Sequence, residues 1–267
     1  CGLQRGDRVA TLMWNHHVHL EAYFGVPCAG GVLHTLNLRL HPDSIAYIAN
    51  HARDRFLIVD ESLLPLLAQF RDAVDFERVI VARSSGAALP GDCDDYEAFI
   101  AQSTGDFRYP PIAEDDAAGM CYTSGTTGMP KGVVYTHRTV VLHSLAIGLA
   151  DSLALSNRDA VCPVVPMFHV NAWGLPFCAT MVGAKQVFPG QYLDGASLLE
   201  LFMGEQVTFS AGVPTIWQSV LEHLDRTPGH GLHGSLRTVV GGSAAPESMI
   251  RAYARHGDRK STRLNSS

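Results

Sequence analysis

The densest set of groups able to do chemistry lies in one stretch, Tyr122-Thr123-Ser124-Gly125-Thr126-Thr127-Gly128-Met129-Pro130-Lys131-Gly132: three glycines, four Ser/Thr hydroxyls and one lysine, without an acid. Glycine lets the backbone approach a ligand closely and adopt positive φ, so successive N–H groups can converge on an anion. The hydroxyls add uncharged donors and Lys131 adds a point charge. A polyphosphate suits such a loop. The Walker A pattern does not apply, because it needs a Ser or Thr after the lysine and a helix thereafter. Here Pro130 precedes the lysine, Gly132 follows it, and the strand-like run Val133-Val134-Tyr135 comes next.

Two further stretches mix polar, small and aromatic residues at the ends of apolar runs. Pro166-Met167-Phe168-His169-Val170-Asn171-Ala172-Trp173-Gly174 follows Val161 to Val165, and the carboxyl end of a strand is where an α/β sheet presents ligands. Taken alone, His169 and Trp173 could equally be a capped core pair. Gly241-Gly242-Ser243-Ala244-Ala245-Pro246 follows Leu236 to Val240. A glycine pair there lets a flat ring approach the backbone, although on composition alone a tight turn into the next helix is the better reading. His16, His17 and His19 are the densest of thirteen histidines. No acid or cysteine completes a ligand set near them in the sequence, which favours surface or packing roles.

The elements that must position these groups alternate along the chain. Strands are expected at Val9–Met13, Val32–Leu36, Phe56–Val59 and Val79–Val81, separated by helices at His17–Ala29, Pro42–Arg53 and Leu63–Phe70. This βαβαβ pattern implies a mostly parallel sheet covered on both faces. Ser84–Asp95 reads as a surface loop and Glu114-Asp115-Asp116 as a solvated turn. The phosphate-loop candidate joins a strand ending at Tyr122 to one at Val133–Tyr135. Thr136 is then a candidate N-cap for a helix that carries Val140, Val141, Leu145 and Leu149 toward a core. Alternation continues with strands at Val161–Val165, Ala184–Phe188, Val207–Ala211 and Leu236–Val240. Helices are expected at Gly195–Met203, from Val213-Pro214 to Leu224, and at Glu247–Arg255.

Composition narrows the function classes. The 267 residues are 46% hydrophobic and 17% charged, ordinary for a globular chain able to bury a sizeable core. A net charge of −6 without a Lys/Arg cluster argues against a nucleic-acid partner. No apolar run approaches the ~20 residues of a membrane span, and no signal peptide opens the chain. Six cysteines are scattered without C-x-x-C spacing, which is neither a zinc site nor a disulfide framework and fits small core residues in a reducing cytoplasm.

Residues 122–132 resemble, nearly letter for letter, the phosphate loop of the adenylate-forming superfamily of acyl-CoA synthetases, peptide-synthetase adenylation domains and luciferases. Pro166 to Trp173 is similar to the segment of long- and medium-chain fatty-acyl-CoA synthetases in which a tryptophan closes the acyl tunnel until ATP binds. The resemblance runs from Gly6 to about His256. It implies an α/β fold, the large N-terminal domain of that superfamily truncated at both ends. It also implies a reaction in which a fatty acid and ATP give acyl-AMP and pyrophosphate, and CoA then forms the thioester. The ligands implied are ATP, Mg²⁺ and CoA.

By the same resemblance Thr123, Ser124, Gly125, Thr126, Thr127, Gly128 and Lys131 hold the phosphates, and Thr123 ligates Mg²⁺. Lys131 and His169 are the catalytic candidates. His169, Trp173 and Val213 line the acyl tunnel, with Trp173 as its gate, and Val170, Trp173, Gly241, Gly242, Ser243 and Ala244 contact the nucleotide. A cytoplasmic ligase without nucleic-acid partner or transmembrane span is expected, with peripheral membrane contact and a homodimeric parent both compatible with the group. The family's aromatic-Gly-x-Thr-Glu motif, ribose aspartate, hinge and C-terminal lysine are not among these residues. The chain is therefore expected to be a fragment, inactive alone. Residues 258–267 are polar, lack an apolar period and match the translation of a widely used sequencing-library adapter, so they are set aside as an artefact.

Two other readings stay open at this stage. One is adenylation of an aryl or amino acid. The residues after His169 are Val, Asn, Ala and Trp, without the acid an ammonium would need, which favours a neutral apolar substrate. The other is a nucleotide-binding fragment without catalysis, which would bind ATP and not turn it over.

Overall fold

The computed structural model describes residues 1–123, 128–227, 232 and 234–256, and the backbone of 262–264. They form two compact units. The first comprises Cys1–Leu142 and Met167–Asn171; the second comprises His143–Pro166 and the described residues from Ala172 onward. Met167–Asn171 thus belongs to the first unit although its flanking chain belongs to the second.

In the first unit the strands are β1 (Arg8–Leu12), β2 (Val32–Thr35), β3 (Asp54–Asp60), β4 (Arg78–Ala82), β5 (Cys93–Asp95), β6 (Ala117–Thr123) and β7 (Lys131–Thr136). Among the described residues they make one sheet in the order β5-β4-β3-β1-β2-β6-β7. All neighbours run parallel except β7, which folds back on β6. Near-continuous apolar runs such as Phe56-Leu57-Ile58-Val59 mark strands covered on both faces, and these residues are buried. The core packs Leu12, Ile45, Ile48, Leu57, Leu67, Phe70 and Val79 together.

The second unit holds β8 (Ala160–Pro163), β9 (Lys185–Gln186), β10 (Phe209–Gly212), β11 (Arg237–Val240) and β12 (Thr262–Leu264), ordered β12-β11-β10-β8-β9 and parallel throughout. β12 falls in the stretch set aside as adapter-derived, and its backbone pairs with β11. The core gathers around Trp217, which is fully buried with Leu198, Phe202, Val220 and Leu224. Local signals start the helices, those at Thr136 and Pro214 as the sequence suggests. Thr136 Oγ1 accepts the Thr139 N–H at 3.2 Å, Asp194 Oδ1 accepts the Ser197 N–H at 3.0 Å, and Pro214 opens the helix Pro214–Arg226.

Three expectations need correction. The helix His137–Gly148 does not carry its apolar side chains into a core: Val141, Leu145 and Leu149 are 50–64% exposed, and Ser144 is its buried residue. Helical spacing groups side chains on a face but does not say what covers that face. The helix expected over Leu63–Phe70 is a 3₁₀ turn, Glu61–Leu63, running into a single turn, Leu64–Leu67. The loop expected over Ser84–Asp95 ends in edge strand β5, after which Asp95 caps a short helix by accepting the Ala98 N–H at 2.8 Å. The acidic turn is exposed as expected, and Glu114 and Asp115 pair with Arg138. No helix of the described residues is long and apolar enough to cross a membrane.

The histidine group packs, in keeping with its sequence reading. His16 Nε2 meets Asp60 at 2.6 Å. His19 is fully buried, with Nδ1 at 3.0 Å from the Trp14 carbonyl and Nε2 at 2.9 Å from Thr11 Oγ1. A carbonyl can only accept, so Nδ1 carries the proton and Nε2 accepts from the threonine. Burial, the dominant cause, lowers the His19 pKa to about 3. The unfolded chain takes up this proton near pH 6.5 and the folded one only near 3, so acidification across that window favours unfolding. Urea unfolding at stepped pH should lose about 1.4 kcal/mol per pH unit from this residue below ~6.5. His19→Gln should remove that increment; an unaltered acid slope would show that His19 titrates normally.

Candidate active site

Parallel strands direct all their carboxyl ends to one edge, so the candidate residues of each unit gather there. In the first unit β6 ends at Thr123 and β7 begins at Lys131, and the two are direct register partners of an antiparallel pair. The intervening loop therefore leaves and returns at one point. Thr123 and Lys131 are both exposed there. Gly128 has φ +141° with open space where a Cβ would stand, a conformation that favours glycine. Ser124, Gly125, Thr126 and Thr127 lie outside the described residues.

The strand entering this loop is braced from below. Tyr122 Oη lies 2.6 Å from His51 Nδ1, and its ring packs 5.2 Å from that of His34. His34 Nδ1 is 2.8 Å from both oxygens of Asp54, and both side chains are fully buried. Burial raises the Asp54 pKa, while His34 opposes the shift. Among the described residues no three His, Cys, Asp or Glu side chains converge as a metal cage.

Met167–Asn171 is bound to the same carboxyl edge. The Met167 N–H donates to Asn15 Oδ1 at 2.8 Å and its carbonyl accepts from Tyr23 Oη. Thr35 Oγ1 donates to the Phe168 carbonyl at 3.4 Å, and Cys121 Sγ donates to Asn171 Oδ1 at 3.0 Å. His169 stands between these anchors, exposed on one side. Its pKa is lowered by partial desolvation and secondarily by the positive charge of Arg39, so the imidazole is neutral at pH 7.

The backbone beyond His169 is unusual. Val170, Asn171, Ala172 and Trp173 have φ of 46°, 48°, 49° and 55°, one turn of left-handed helix, and Gly174 continues it at 72°. For an L-residue that region costs roughly 1–2 kcal/mol, and a β-branched valine is among the least suited to it. Asparagine tolerates the region best after glycine. Gly174 is needed twice over, because a Cβ there would also lie 2.5 Å from His143 Nδ1.

In the second unit Val213 follows β10 and Gly241 follows β11, again at the carboxyl edge. A Cβ on buried Gly241 would overlap Cη2 of Trp173 and stand 2.8 Å from its Cζ2. The flat ring lying against the glycine backbone is thus the chain's own indole. A Cβ on Gly242, at φ +82°, would meet Val213 Cγ1 at 3.3 Å. Gly242, Ser243 and Ala244 are exposed. The structure therefore gathers Thr123, Lys131, His169 and Val170 in one unit, and Trp173, Val213 and Gly241–Ala244 in the other. Sequence reading passed over Asn15, Thr35 and Cys121, which no motif marks. Asn171 carried a cue, as the residue most tolerant of left-handed backbone within a run of β-branched and aromatic neighbours.

The candidate residues thus sit on strand-end loops of a mostly parallel α/β scaffold. Residues 1–264 match the AMP-binding enzyme family, and the chain belongs to it. It is 55% identical over 256 residues to the long-chain-fatty-acid–CoA ligase of Thermus thermophilus, covering 96% of this chain and 46% of that protein. It is 46% identical over 257 residues to the medium-chain-fatty-acid–CoA ligase of Ectopseudomonas oleovorans, covering 94% and 47%. Among solved structures it superposes with TM-score 0.85 on a long-chain-fatty-acid-CoA ligase from Archaeoglobus fulgidus, at 22% identity over 97% of this chain and 50% of that one. A TM-score of 0.79 relates it to the N-terminal domain of FACL13 from Mycobacterium tuberculosis, at 27% identity over 95% and 61%. The chain spans about half the length of the curated relatives it matches.

The contact between Gly241 and Trp173 generates a test. Gly241→Ala should destabilise the protein by about 1–3 kcal/mol through overpacking. In a double-mutant cycle, Trp173→Ala should remove most of that cost, since the two changes share one contact. Additive losses in chemical denaturation would mean the indole does not rest on this glycine.

Proposed function

We propose that this chain is part of an ATP-dependent fatty-acid–CoA ligase and contributes a phosphate-binding loop to its adenylation step. The observation that carries the reading is the mouth of the β6–β7 hairpin, where Thr123 and Lys131 face each other across a Gly/Ser/Thr loop. The similarity to two fatty-acid–CoA ligases over nearly the whole chain supports it.

The fatty-acid carboxylate attacks the α-phosphorus of ATP, the bond to the β-phosphate oxygen breaks, and pyrophosphate leaves. The CoA thiolate then attacks the acyl carbonyl and AMP departs. The first step sets an anion against a polyanion, so neutral donors and one positive charge reduce the repulsion that otherwise dominates. A unit charge about 4 Å from a phosphate oxygen contributes roughly 1 kcal/mol in water but ~4 kcal/mol at the effective dielectric of a protein surface. Lys131 therefore matters to the extent that water is displaced from the loop. Neutral His169, between the Phe168 and Asn171 anchors, adds no competing charge where an apolar chain would enter.

Mg²⁺ would travel with the nucleotide. The exposed Thr123 hydroxyl at the strand end offers an oxygen donor, which suits an ion bound through phosphates and a few protein oxygens and not a protein-built cage. The ion would supply further neutralisation of the phosphates. In this reading Val213 and Trp173 line the acyl path, and Gly241 to Ala244 receive the nucleotide. Trp173 is its closure: the indole lies on the Gly241 surface that a ligand ring would need. The residues following His169 include no acid, which disfavours an amino-acid substrate.

In a ligase of the relatives' full length carrying this sequence, Lys131→Ala or Thr123→Ala should slow ATP–pyrophosphate exchange with fatty acids on the order of 10²-fold or more. Thioester formation from supplied acyl-AMP should suffer much less. Equal loss in both half-reactions would place the loop's role in folding and not in phosphate stabilisation.

A further inference from the structure

We propose that Cys121 and Asn171 form a pin that holds the left-handed turn, and with it His169, in register with the strand that enters the phosphate loop. Asn171 is thereby a positioning residue for adenylation. The proposal rests on the functional reading above and deepens it.

The face of β6 carries the geometry. Side chains along a strand alternate, so Gly119, Cys121 and Thr123 share one face. No register shift interrupts the pairing with β7 from Gly119 to Thr123. The Asn171 carboxamide lies on that face: its Oδ1 accepts from Cys121 Sγ at 3.0 Å, and its Nδ2 would stand 3.6 Å from a Cβ on Gly119. Gly119 leaves the room the amide uses. Thr123, two residues beyond Cys121, therefore projects from the face on which the turn rests.

The thiol donates to the Asn171 side chain. Thr35 Oγ1 approaches the same sulfur at 3.5 Å and also bonds the Phe168 carbonyl. Cys121 and Asn171 are 3% and 6% exposed, so these groups have no water to fall back on. A run of left-handed residues beginning with valine persists only where its surroundings over-determine it, and this pin supplies that determination on the side of His169. Phe168 and Asn171 are both tied to the sheet, and His169 lies between them, so its placement follows from the two ties.

A side chain that merely stabilised the fold would be dispensable once the backbone strain is relieved. Asn171→Gly separates the two roles, because glycine adopts the left-handed region without strain but has no carboxamide. In the full-length ligase, Asn171→Gly should keep its thermal midpoint within a few degrees. It should nevertheless lose at least tenfold in kcat for ATP–pyrophosphate exchange with a fatty acid, with KM for ATP changed less than threefold. Cys121→Ser, which keeps donor and acceptor, should retain most of the rate, whereas Cys121→Ala should fall with Asn171→Gly. The double variant Cys121→Ala/Asn171→Gly should be no slower than the worse single one. Independently of activity, iodoacetamide should alkylate Cys121, followed by peptide mass spectrometry, at least tenfold faster in Asn171→Gly than in the unaltered protein. Near-normal exchange by Asn171→Gly, or unchanged alkylation of Cys121, overturns the pin. Absence of exchange in the unaltered ligase with every fatty acid would instead sink the functional reading, and the alkylation rates would still decide whether the pin exists.

Discussion

Parallel pairing is the constraint on which both units depend. A parallel neighbour cannot be reached by a tight turn, so each strand must be followed by a crossover that returns the chain to the same starting edge. All carboxyl ends then point one way. The segments after β1, β2 and β6 in the first unit, and after β8, β10 and β11 in the second, become the places where irregular backbone and unpaired polar groups concentrate. Apart from Thr123, which ends β6, and Lys131, which opens β7, the candidate residues come from such segments. The β6–β7 hairpin is the exception, because its antiparallel return sets Lys131 opposite Thr123.

Strain and close approach mark the same places. The left-handed turn at Val170–Trp173 stores backbone energy on the order of several kcal/mol if each residue costs what such residues typically do. It is accompanied by buried bonds from Asn15 and Tyr23 to the Met167 backbone, from Thr35 to the Phe168 carbonyl and from Cys121 to Asn171 Oδ1. Glycine is required where this geometry leaves no space: at 174 against His143, and at 241 against Trp173.

The exposed apolar side chains of β7 and the following helix fit this picture differently. Val133, Val134, Val141 and Leu142 are 40–57% exposed, although a helix or strand ordinarily turns such residues inward. Nothing among the described residues of the first unit covers them.

The sequence by itself determined what depends on neighbours within a few residues. The Gly/Ser/Thr loop with its lysine, the alternation of strands and helices, the cap at Thr136, and the proline at the start of Pro214–Arg226 were all legible, because each rests on local backbone chemistry or short periodicity. Tertiary structure decided what depends on partners far along the chain. Cys121 looked like one small core residue among several and became a ligand of the turn only because Asn171, fifty residues on, reaches it. The tie between Phe168, next to His169, and Thr35, and the indole of Trp173 resting on Gly241, are contacts no local pattern announces. The stripe on His137–Gly148 showed which side chains share a face, yet its exposure was a matter of what packs there. Periodicity is written into the chain; coverage is settled only when distant segments meet.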